Sequence, residues 1–207
     1  MAQDQSASAD SAKYLSSMGP SLGAAFQVLS HDVLLAFANR AMYQELYGQS
    51  ERVELLREVA GGFFGLLQRT LLLDILLQLA RLVDRPETGG KPNLTLQSLP
   101  ALVSDPALRL EIEDLVRSAC DACVSAVDWR NRRLAHRDRP IALGMTDAAL
   151  PGVTLPEIDK VLAIFATLLN RVESHFENGA TTMYESVQGI STDSLFHFLK
   201  VGLDAEA

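Results

Sequence analysis

Apolar positions recur at three- and four-residue steps from Ser21 to about Tyr47 (Leu22, Phe26, Leu29, Val33, Phe37, Leu46) and stop at Gly48, which predicts a first helix closed by glycine. Ser50 is placed to cap a second helix running from Glu51 to about Asp84. The turn-forming run Arg85-Pro86-Glu87-Thr88-Gly89-Gly90 closes it. The second half of that helix is apolar on nearly every side and should lie centrally. Residues 85–94 read as a loop, and Leu94 to Val103 supports one or two helical turns. Asp105-Pro106 opens a third long helix, with proline in its first turn, that extends to about Leu134. From Pro140 to Gly152 the chain reads as a loop.

Thr154 with Glu157 three residues on forms a capping box, and an apolar series from Leu155 to Phe176 continues as the fourth long helix. After Asn178-Gly179 the chain is polar until a short amphipathic piece, Ser194 to Leu203, expected to pack as an appendage. Residues 1–12 show no periodicity and are expected to form a disordered tail, leaving 13–207 as a single domain. Sustained period-two alternation is absent, as is any unit recurring at the spacing of a helical repeat. Four long helices with short connections predict an all-α fold: an antiparallel four-helix up-and-down bundle with short accessory helices.

Composition agrees with one buried core, since 48% of the 207 residues are hydrophobic and 21% charged. The most apolar stretch, Gly61 to Leu79, carries Gln68, Arg69, Asp74 and Gln78, which lipid would penalise, so it reads as a bundle helix and no membrane partner is expected. Two cysteines, Cys120 and Cys123, are too few for a disulfide framework, and the N-terminus lacks the basic and apolar regions of a signal peptide. A cytoplasmic location follows as the expectation.

The net charge of −8 argues against a protein that coats nucleic acid through a general excess of Lys and Arg. Positive charge is nevertheless concentrated: residues 130–139 hold Arg130, Arg132, Arg133, Arg137 and Arg139 against Asp138, so the acidic excess lies elsewhere. At about 100° per residue, Arg130 shares the azimuth of Ile112 on the apolar stripe of the third helix, whereas Arg132 and Arg133 fall toward the surface. An unpaired buried guanidinium is costly, so Arg130 needs an anion: a carboxylate such as Asp74 or Asp84, a phosphate, or a facing subunit. His136 lies about 120° further round and roughly 9 Å along the axis, so it does not meet Arg130 on one straight helix. Either the helix unwinds before His136, or two copies of the segment meet across a symmetric interface.

Asp74, Gln78 and Arg81 share one side of the second helix, and Arg81 with Asp84 has the spacing of an ion pair; the group reads as a network tying helices together or as support for Arg130. Cys120 and Cys123 have no second pair for zinc and read as core. His31, His175 and His197 lack partners at ligand spacing, and no glycine-rich phosphate loop is present. Neither a metal nor another cofactor is expected.

The segment Asp128 to Asp138 resembles the HEPN superfamily of higher eukaryote and prokaryote nucleotide-binding domains, whose signature is an arginine, usually followed by a polar residue, with a histidine four to six residues after the arginine. Arg130, Asn131 and His136 fit it. The wider chain, from about Leu22 to near Leu199, resembles the abortive-infection U branch through Leu73-Asp74-Ile75-Leu76-Leu77, Leu79-Ala80-Arg81-Leu82-Val83-Asp84 and Ala135-His136-Arg137-Asp138. The resemblance implies a metal-independent endoribonuclease working as a homodimer, here through the third long helix, in which a 2′-hydroxyl of RNA attacks the neighbouring phosphate. Such a protein would be a toxin or an antiviral abortive-infection effector, and an antitoxin protein is a candidate partner. Arg130, His136 and Asn131 would be catalytic, Arg132, Arg133 and Arg137 would hold the RNA backbone, and Asp74, Arg81 and Asp84 would support them. The alternative is a catalytically silent HEPN bundle that binds RNA or a nucleotide, or serves as an interaction module.

The chemistry suits these residue types. Histidine titrates near neutrality and can move the 2′-hydroxyl or leaving-group proton, while arginine offers paired donors to a phosphorane as its charge grows.

Overall fold

The computed structural model describes residues 12–134, 143, 152–186 and 191–206. Residues 12–18 are already helical, ahead of the first expected helix. They lie close against α1 (Pro20–Tyr47), where a Cβ on Gly23 would run into the carbonyl oxygen of Tyr14. The Tyr14 ring meets the edge of Phe26 at 4.8 Å between centroids. The expected tail, residues 1–12, falls outside the described residues except for Ala12.

Helix α2 (Ser50–Leu82) starts one residue earlier than expected, with Gln49 rather than Ser50 at the N-cap and no side-chain cap hydrogen bond. Its helical geometry is interrupted at Ala60 (φ −158°, ψ 63°), just before Gly61-Gly62. The expected loop after α2 contains a minimal antiparallel hairpin, β1 (Glu87–Thr88) on β2 (Lys91–Pro92), with Glu87 opposite Pro92 and Thr88 opposite Lys91. Gly89 and Gly90 form its turn at φ 59° and 75°, a region that glycine enters without a Cβ penalty. Two-residue strands are too short to show alternation.

A 3₁₀ turn (Leu96–Ser98) and α3 (Leu99–Leu102) follow. The third long helix is not continuous: α4 (Pro106–Ala122) ends at Cys123, α5 (Val124–Trp129) resumes, and a π-helical turn spans Arg130–Leu134. At the break the Cys123 amide is shared between the carbonyls of Ala119 and Cys120, and its ψ of 4° departs from the helix. Asp105 caps α4 as its sequence position suggested, its carboxylate accepting from the amides of Ala107 and Leu108. Helix α6 (Leu155–Phe176) begins with the expected capping box of Thr154 and Glu157. Helix α7 (Asp193–Glu206) is the expected C-terminal appendage, a few residues longer.

Helix α1 packs on α2, α2 on α5, α4 on α6 and α6 on α1, so the four long segments close a ring. Phe26, Leu29, Leu76, Leu79, Ile112 and Phe165 fill it and are essentially solvent-free. Tyr184, from the stretch read as polar, is also fully buried, its hydroxyl 2.7 Å from Ser30 Oγ. A smaller cluster of Leu46, Leu56 and Phe64 seats α7 through Phe196 and Leu199. The second half of α2 supplies the buried Ile75, Leu76, Leu79, Ala80 and Leu82, whereas Phe63 and Leu66, ahead of it, face outward. Helices α1 and α2 are each long and apolar enough to cross a membrane by length and composition, a test that the core helices of a bundle also pass. Apart from the two-residue strands of the hairpin, the described residues form an all-α helical fold.

Candidate functional site

Arg130 stands where α5 gives way to the π turn, a widened turn type that recurs at functional sites. The turn packs against α2, which brings Arg130 beside Asp84, two residues past the end of that helix. Arg130 Nη1 lies 2.7 Å from Asp84 Oδ2, with both side chains mostly covered. Asp84 Oδ1 accepts the backbone N–H of Arg85 at 2.9 Å, which fixes the carboxylate. The sequence reading left Asp74, Asp84, a phosphate and a second subunit open as partners of Arg130; within one chain the partner is Asp84.

The other edge of the guanidinium, Nε and Nη2, donates to Asn131 Oδ1 at 3.1 and 2.9 Å. Asp84 thus anchors one end, while the paired donors that suit a phosphate are covered by a neutral side-chain amide. Asn131 is exposed and can turn away without breaking the ion pair. Arg132 Nη1 pairs with Asp128 at 3.2 Å, one helical turn back, and Arg133 lies over the Trp129 ring, 5.5 Å from its centroid. His136 and Arg137 lie outside the described residues, so the geometry of the site covers Arg130, Asn131 and their surroundings.

The expected Arg81–Asp84 ion pair is not formed. Arg81 is exposed and has no ion pair among the described residues, because Asp84 lies beyond the end of α2 and has turned toward the π turn. Asp74 is tied elsewhere: its Oδ2 accepts from Asn39 Nδ2 at 2.9 Å and Gln78 Nε2 at 2.7 Å, joining α1 to α2. Asp74, Arg81 and Asp84 nevertheless share one place, the wall of a cavity of about 480 Å³ beside the ion pair.

Sequence reasoning missed Asn39, Asp128, Trp129 and Thr95. Asp128 was detectable, since it stands four residues before Arg132 on one helical face. Asn39 and Thr95 come from distant segments and carried no local signal. Cys123 is buried and packed against α2, as expected of a core thiol. Burial, with the Cys120 thiol beside it, pushes its pKa up to about 12. Among the described residues no three His, Cys, Asp or Glu side chains are grouped to hold a metal ion.

A family model described as HEPN_AbiU2, AbiU2, matches residues 21–195, which takes in α1, the ion-paired arginine and the start of α7. No curated protein matches the chain, and no solved structure does.

Proposed function

The chain belongs to the AbiU2 family of HEPN domains, and on that premise we propose that it is a cytoplasmic, metal-independent endoribonuclease acting as a homodimer in abortive infection. The observation that carries this reading is Arg130, anchored by Asp84 through Nη1 while its Nε and Nη2 edge, among the described residues, meets the amide of Asn131. A scissile phosphate replaces Asn131 on that edge and gains two charge-assisted hydrogen bonds from a guanidinium already held in place. Arg132 and Arg133, on the same turn, add positive charge along the RNA backbone in a chain that is acidic elsewhere.

His136 enters by its spacing from Arg130 and by family membership. As general base it takes the 2′-hydroxyl proton as O2′ attacks phosphorus. The P–O5′ bond then breaks, and the departing O5′ takes up a proton, leaving a 2′,3′-cyclic phosphate and a 5′-hydroxyl. Self-association through the third helical segment enters by the divergence of Arg130 and His136 on one straight helix and by family membership.

The test is incubation with total RNA in EDTA, comparing the natural chain with Arg130→Ala and His136→Ala. Cleavage by the natural chain alone, with cyclic phosphate ends and resistance of a strand carrying deoxyribose at the cleaved position, is the expected result. Ends bearing 5′-phosphate, or activity that returns only with magnesium, reject the mechanism. The Arg130–Asp84 pair also suits a silent bundle in which Arg130 is structural; RNA binding without cleavage would favour that second reading.

A further inference from the structure

We propose that Trp129 is a stacking platform for the unpaired nucleobase beside the phosphate held by Arg130, which limits the substrate to single-stranded RNA. The inference rests on RNA as the ligand of Arg130 and adds the strandedness of that substrate. Trp129 is the last residue of α5 and directly precedes Arg130, so their Cα atoms stand about 3.8 Å apart. The indole is partly buried and packs against the main core, which holds the ring in place. Four residues on, the Arg133 guanidinium lies over the ring, 5.5 Å from its centroid. Arg133 is itself exposed, so the face that it covers is reached from solvent when this side chain swings out.

Two exposed side chains thus cover two complementary surfaces: Asn131 caps the paired donors of Arg130, and Arg133 lies on the ring of Trp129. A single nucleotide displaces both. Its phosphate takes the Nε and Nη2 edge, its base takes the indole face, and the released Arg133 turns to the backbone phosphates. The exchange favours the nucleotide, because a base stacked on an aromatic ring is held more strongly than an exposed cation over one. Bases in a duplex are already stacked on both sides, whereas a single strand can splay one outward. Stacking accepts every base, so the platform selects strandedness and not sequence. The ring also stands at the start of the arginine-rich run 130–139 of a chain with net charge −8, where nucleic acid is attracted.

Trp129 is the only tryptophan of the chain, so tryptophan fluorescence reports this ring alone. The full chain is titrated with a mixed-sequence RNA strand methylated at every 2′-hydroxyl, which cannot be cut, with the same strand in a duplex, and with an abasic strand of equal length. Anisotropy of an end label reads binding. The single strand should quench the indole saturably, while the duplex and the abasic strand, which bring phosphates but no splayed base, should not. Trp129→Leu should weaken binding of the single strand by about tenfold and leave that of the abasic strand unchanged. Trp129→Phe, which keeps an aromatic face, should recover most of the loss. The quench is read on the natural chain, so it decides the matter even if Trp129→Leu fails to fold. Binding of the single strand without quenching, equal quenching by the abasic strand or the duplex, or undiminished binding by folded Trp129→Leu overturns the platform and leaves the nuclease reading standing. Failure of every strand to bind overturns both. Quenching by the single strand alone, with total RNA left uncut, supports the platform and rejects only the cleavage step.

Discussion

Three side chains show how local chemistry is decided by what the chain brings near. Arg130 was legible, because its azimuth placed it on an apolar stripe where a guanidinium must have an anion, and it is found largely covered against Asp84. Arg81 was misleading. Its spacing from Asp84 promised a pair, but that rule holds only while both residues stay on one helix, and α2 ends at Leu82. Arg81→Ala should therefore change stability by less than about 0.5 kcal/mol, while Arg130→Ala, which strands a mostly covered Asp84, should cost about 1–3 kcal/mol; chemical denaturation distinguishes them, and equal losses would contradict the assignment. Glu173 had no sequence signal at all: it sits in the last turn of α6, 3% exposed, accepting from Tyr14 Oη at 2.8 Å and Thr182 Oγ1 at 2.9 Å. Tyr14→Phe removes one of its donors and should cost about 1–3 kcal/mol, seen as a lower Tm. Burial first, then the Glu173 carboxylate, raises the Tyr14 pKa, and burial does the same for Tyr184. Folding thus favours their neutral forms, so this contribution is whole at neutral pH and is lost as pH rises past the ordinary tyrosine range. A natural chain no less stable in strong alkali than at neutrality would refute that coupling.

At the scale of elements, start signals were read more reliably than continuity. Asp105 at α4 and Thr154 with Glu157 at α6 act where their spacing placed them, because a cap is a contact within four residues and needs no tertiary partner. Thr154→Ala should lower stability by about 1 kcal/mol, measured by denaturant unfolding, and an unchanged midpoint would mean that α6 is held by packing alone. The amide of Thr154, then its hydroxyl, lowers the Glu157 pKa, and the amides of Leu108 and Ala107 lower that of Asp105. Both caps are therefore complete above the ordinary carboxylate range and weaken as pH falls through it. The break at Cys123 was not legible, and the π turn after Trp129 was legible only as one of two options, a helix that unwinds before His136. Neither contains glycine or proline, and the apolar stripe continues across both, so periodicity reported one long helix. The helical run at 12–18 was missed for a different reason: it is too short to show a period and is held by a close approach to nearby Gly23 and by Glu173, far along the chain.

At the scale of the whole molecule, the ring of four helices was readable from four apolar periods, whereas a site completed by two chains is a proposal that starts from a mismatch. Arg130 and His136 would diverge on one straight α-helix, which left two options, a helix that departs from α geometry before His136, as the π turn at Arg130–Leu134 does, or a site shared between copies. Mixing inactive variants makes the idea testable without a structure of the dimer. If each cleavage centre takes Arg130 from one chain and His136 from the other, an Arg130→Ala homodimer and a His136→Ala homodimer are both inactive. Their heterodimer, however, has one centre with both residues natural and one with neither. Co-folding the two variants in equal amounts makes half of the dimers mixed, each with one working centre of two, so about a quarter of the natural activity should return. Light scattering of the same sample must show a dimer. If Arg130 and His136 act from one chain, every centre in the mixture lacks one of them and no activity returns. A monomer at micromolar concentration would remove the composite centre altogether and leave the interaction-module reading ahead.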